Sequence, residues 1–77
     1  MDETIRIRSI EPRDWPTILQ GFELDKIEQL LELCGSDGVV IGTICESVDG
    51  KYYINGQPDF NYASLQVAVA ALIKSTI

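Results

Sequence analysis

The chain has 77 residues, with 12 Asp and Glu against 6 Lys and Arg, no histidine, and 45% hydrophobic content. That length holds one compact domain, 1–77, and the apolar fraction is too high for a disordered acidic tail. A net charge of −6 argues against binding nucleic-acid backbones or anionic membranes, which needs a basic surface, and zero histidines remove the commonest general base near neutral pH and the commonest zinc ligand.

Residues 4–10 read T-I-R-I-R-S-I, an alternation of period two that predicts a strand with one buried face. Pro12 and Pro16 follow, and Asp14 can cap a short helical turn around Trp15. In residues 24–34, Leu24, Ile27, Leu30, Leu31 and Cys34 recur at helical spacing while Asp25, Lys26, Glu28, Gln29 and Glu32 fill the other positions. The spacing predicts a helix, stopped by Gly35 in a left-handed cap. Residues 39–48 are rich in β-branched types, and Asp49-Gly50 separates them from K-Y-Y-I, which predicts a tight hairpin. Asn55-Gly56 offers a second turn, with a short fourth strand over 57–60 that Pro58 would hold to an edge. Ten of the thirteen residues in 61–73 are apolar. That segment predicts a second helix capped by Asp59 or Asn61 and too short to span a membrane.

The N-terminal run T-I-R-I-R-S-I-E-P-R-D-W-P-T-I-L-Q resembles the opening strand and helix of GNAT-type acetyltransferases, over about a fifth of the chain. The remainder departs from that pattern, since no Q/R-x-x-G-x-G/A pyrophosphate loop follows a central strand. Acetyl-CoA binding is therefore not carried over, and no residue takes a role from that family.

Motifs that carry chemistry are sparse. Cys34 and Cys45 lack CxxC spacing and sit in or beside apolar runs, which reads as two buried free thiols. Residues 1–8 are charged where an export leader would be apolar, so a reducing cytoplasmic setting is expected. Gly35-Ser36-Asp37-Gly38 precedes a strand and not a helix, so it is a turn and not a phosphate cradle. Serine, threonine and tyrosine hydroxyls have no histidine to activate them. The expectation is therefore no enzyme activity, no catalytic residue, no metal and no cofactor. Asp25, Glu28 and Glu32, at i, i+3 and i+7, would line one side of the first helix and could meet a basic partner. Trp15 is a further partner-contact candidate: one of Tyr52 and Tyr53 must turn away from a single core face, and an exposed tyrosine beside Trp15 would make a protein-contact spot.

The second helix is apolar nearly all round. Tyr62, Leu65, Val69 and Leu72 form one stripe that Ala68 and Ile73 widen, and Ala63, Val67, Ala70 and Ala71 carry apolar surface onto the other side. A helix of that kind is buried on more than one side, so those last four residues are assigned to a self-interface, most simply a two-fold homodimer. The expected architecture is α+β, a small antiparallel sheet of three to four strands with two main helices packed on one face, in the order β-α-β-β-(β)-α. The expected function is a small acidic protein-interaction module, regulatory or accessory, acting as a homodimer on a protein partner. Two alternatives are an acidic inhibitor or nucleic-acid mimic of the phage anti-defence or immunity type, and a ligand-binding or catalytic domain whose site is completed at a dimer interface.

Overall fold

A computed structural model of the chain describes residues 5–75. The elements are β1 (Arg6–Ser9), α1 (Trp15–Ile18), β2 (Ile27–Cys34), β3 (Val40–Ser47), β4 (Tyr52–Ile54) and α2 (Leu65–Ser75), with 3-10 turns at Pro12–Asp14 and Leu24–Lys26. The four strands form one antiparallel sheet in the order β1-β2-β3-β4. The α+β class with a four-stranded antiparallel sheet and two helices is as expected, and β1, the Asp49-Gly50 hairpin and the C-terminal helix fall where the sequence puts them. But β1 lacks the buried face its alternation predicts: at the sheet edge all four of its residues are exposed. Thr4, the first residue of the expected strand 4–10, lies outside the described residues.

The segment 24–34 is different. It is a 3-10 turn followed by strand β2, not a helix, and it supplies the fourth strand in place of 57–60, which forms turns. The reason is visible in the ladder. Leu30 lies opposite Cys45, itself opposite Tyr53, and Leu31 lies opposite Ile44, itself opposite Ile54. Successive residues of β2 thus enter two different cores, and a strand buried on both faces loses the alternation that marks a half-buried one. One core holds Leu33, Ile44, Ile54, Ala68 and Leu72. The other holds Ile27, Leu30 and Cys45, covered by Ile10, Trp15, Ile18, Leu19 and Phe22. The helices are accordingly divided between the two faces: α2 covers one, and the turn-rich segment around α1 covers the other.

Local chemistry fixes each cover. Gly42 of β3 lets α2 approach the sheet backbone, because a Cβ there would lie 2.8 Å from the Leu72 methyl carbons. The α2 cap is Ser64, not Asp59 or Asn61: its hydroxyl accepts from Val67 N–H at 3.3 Å, and its carbonyl accepts from Ala68 N–H at 3.1 Å. Asp14 holds the N-cap position of α1 without a side-chain capping bond. At the β3–β4 turn, Gly50 takes φ +86°, and the Ser47 hydroxyl donates to the Asp49 carboxylate and accepts from Lys51 N–H. That hydroxyl holds the Asp49 carboxyl below its ordinary value. The Asn55-Gly56 turn does more than reverse the chain. The Asn55 Nδ2 donates to the Ile18 carbonyl at 2.8 Å and its Oδ1 accepts from Gln20 N–H at 2.9 Å, so one side chain ties the α1 cover to the end of β4.

Candidate functional site

The side of α2 that faces away from the sheet is the most apolar helical surface left open. At 100° per residue, Val67 and Ala70 centre nearly opposite the buried Ala68 and Leu72, while Ala63 lies in the bend before the helix. All three are exposed, Val67 to 50%, and Ala71 is half-buried at the flank. Of the four residues assigned to a self-interface, two therefore form the outward stripe of α2, with Lys74 continuing it and Gln66 beside it as polar neighbours; Ala63, expected on the same helix, precedes it because the helix starts only after Ser64.

The carboxylates Asp25, Glu28 and Glu32 do not form a row, because the helix that would align them is a strand. Asp25 sits in the 3-10 turn, Glu28 at a bulge where the β2–β3 register shifts, and Glu32 in mid-strand. Glu32 is engaged by Arg8 of β1 at 3.0 Å. Trp15 is half-buried: its indole N–H donates to the Ile10 carbonyl at 2.8 Å and its ring packs on the second core. Neither tyrosine points into solvent. Tyr52 packs with α2 on one face, and Tyr53 meets Phe22 edge-on at 5.3 Å on the other. Two covered faces give both neighbours a place, which a single core face would not.

Between the α1 cover and the β3–β4 turn runs an open groove of about 700 Å³, lined by Phe22, Ile27, Val48, Tyr53 and Pro58 together with Lys26, Glu23, Ser47 and Asp49. Lys26 is paired with Glu23 at 3.6 Å. Sequence reasoning did not single out this groove, since its residues come from separate segments that only the two-sided sheet brings together. Phe60 was also passed over; it is 60% exposed and stacks at a tilt on Tyr62, 5.1 Å between ring centres. An aromatic after Pro58-Asp59, in a segment unfit for a strand, was the available signal.

The two thiols are free and buried. Cys45 faces Leu30, four residues along β2 from Cys34, a separation of roughly 13 Å at strand spacing and too far for a disulfide. Burial pushes the Cys45 thiol up to about 12, from an ordinary 9.0. Above about pH 9 the unfolded chain ionises this group while the folded chain keeps its proton, so stability falls as pH rises, by up to about 1.4 kcal/mol per unit. Urea midpoints measured from pH 9 to 11 should decline more steeply for the native chain than for Cys45→Ala. Equal slopes would assign the decline to other groups.

Among the described residues, no group of three His, Cys, Asp or Glu side chains is placed to share a metal ion, and no helix is long and apolar enough to cross a membrane. Compared with family models, curated proteins and solved structures, the chain matches none.

Proposed function

We propose that this chain is a small non-enzymatic interaction module, regulatory or accessory in role, that self-associates through the outward stripe of α2, most simply as a two-fold dimer. The observation that carries the reading is Val67, half exposed beside Ala70 on the helix side opposite the core. Small residues let two such helices approach closely, and an isologous contact covers the same patch twice. A domain of this size hides only roughly 60 to 65% of its unfolded surface, so apolar area covered by a second copy is a large relative gain. A non-catalytic role is supported by the chemistry of the side chains: there is no histidine, and burial keeps the Cys45 thiol protonated. Two free thiols too far apart to pair support a reducing, cytoplasmic setting.

Sedimentation equilibrium at micromolar concentration should return twice the 8.6 kDa of one chain. Val67→Glu should return the mass of one chain with the unfolding midpoint of a separated monomer, because the side chain is not part of either core. A native chain that sediments as one copy, or a Val67→Glu variant that stays paired, would sink the reading.

A further inference from the structure

β1 is an edge strand: β2 lies on one side of it and no described strand on the other. Its four residues are all exposed. The Ile10 N–H bonds to the Leu30 carbonyl, and in an antiparallel ladder inward and outward bonding alternate, so Arg8 and Arg6 direct their backbone groups at β2 while Ile7 and Ser9 direct theirs outward. The free edge therefore presents a short row of N–H and C=O groups centred on Ile7. Its side chains are segregated. Arg6 and Arg8 lie on one face of the sheet, and Ile7, 45% exposed, lies on the other beyond the strands that α2 covers.

The inner neighbour of β1 indicates what such an edge selects. Directly opposite Arg8 on β2 is Glu32, and the two pair at 3.0 Å. Directly opposite Arg6 is Cys34, and Arg6 has no ion pair among the described residues. A concavity of about 310 Å³ lies beside both arginines, walled by Cys34 and the turn at 35–38; its own carboxylate, Asp37, accepts from the Val39 N–H at 3.1 Å and forms no ion pair with either arginine. A second copy is the wrong occupant. Pairing two β1 edges about Ile7 with their faces aligned sets each Arg6 against the other copy's Arg8, and like charges directly opposite are unfavourable.

We propose that the free edge of β1 docks an extended segment of a partner protein, added antiparallel as a fifth strand, with carboxylates opposite Arg6 and Arg8 and an apolar residue opposite Ile7. Main-chain bonds at Ile7 hold the segment, and the arginines choose its charge. The site is separate from the outward face of α2 and does not depend on it.

The test uses fluorescein-labelled octapeptides of alternating valine and glutamate, titrated with the whole protein and read by anisotropy. Saturable binding is expected, with valine opposite Ile7. N-methylation of the valines should abolish it, because their amides bond to the edge; N-methylation of the glutamates should change it less than threefold, because theirs point away. The double variant Arg6→Glu, Arg8→Glu, checked for its fold by circular dichroism, should lose binding at least tenfold and prefer an alternating valine and lysine peptide. Absence of saturable binding overturns the proposal. So does binding that ignores which amides are methylated, which would be charge attraction without strand addition, or a native chain that takes the lysine peptide equally well. Val67→Glu should bind the glutamate peptide like the native chain, so failure at α2 and failure at β1 are read separately.

Discussion

Leu33→Ala should lower stability by about 3 kcal/mol, within the 2 to 5 kcal/mol typical of removing a fully buried leucine. Against the roughly 4 to 12 kcal/mol available to a domain of this length, that is a large share. Leu33 is fully buried under α2 with Ile44 and Ile54. Leu30→Ala should cost a similar amount, yet the two variants should not behave alike. Leu30 lies in the core that Trp15 covers, so its truncation should also shift the native tryptophan emission, while Leu33→Ala leaves that emission unchanged until unfolding. Urea titrations followed by fluorescence and far-ultraviolet circular dichroism separate the two. If both substitutions moved the tryptophan signal equally, β2 would not divide its leucines between two cores.

The second large effect belongs to Asn55. Replacing it by alanine leaves the Ile18 carbonyl and the Gln20 N–H without the partners they now have, and removes the weak contact from the Cys45 thiol as well. An expected cost of about 1 to 3 kcal/mol follows, most of it from the half-buried Ile18 carbonyl, since the Gln20 N–H is exposed and can turn to water. Asn55→Asp is a sharper probe. It keeps an acceptor for Gln20 but sets a carboxylate against the Ile18 carbonyl, so the variant should recover stability as pH falls and the carboxyl gains a proton to donate. A cost below about 0.5 kcal/mol for the alanine variant would mean that the α1 cover is held by its apolar contacts alone.

These two positions also mark where the sequence speaks and where it does not. The hairpin at Asp49-Gly50 and the α2 segment are legible because their signals are local: a turn that needs positive φ, and a long alanine-rich apolar run. β2 is not. Leu24, Ile27, Leu30, Leu31 and Cys34 match a helical stripe, and leucine, glutamate and glutamine favour helix. Leu33 fits that stripe least well, and it is one of the most buried residues in the chain. A bulge at each end of β2 further blurs any period of two. The acidic row of Asp25, Glu28 and Glu32 rested on that helix and disperses with it, whereas Val67 and Ala70 keep their outward position because α2 forms, although it starts late enough to leave Ala63 outside. Asn55 was legible as a turn residue; its reach to Ile18 and Gln20 was not, since a side chain's tertiary partner leaves no mark in local spacing.

The order β1-β2-β3-β4 means that neighbours in the sheet are neighbours in the chain, and this bears on how the domain assembles. Five residues, 35–39, join β2 to β3, and four, 48–51, join β3 to β4, whereas β1 reaches β2 across seventeen, 10–26. Closing the longer loop costs about 1 kcal/mol more in chain entropy, and β1 adds only one four-residue ladder in return. The three-stranded meander is thus expected to form first, with β1 joining late and opening early, which native-state hydrogen exchange should show as weaker protection of the Ile10 N–H than of the amides between β2 and β3. An edge that closes last exposes its template only once the rest of the domain is in place, so a partner strand would meet a finished scaffold and not a folding intermediate.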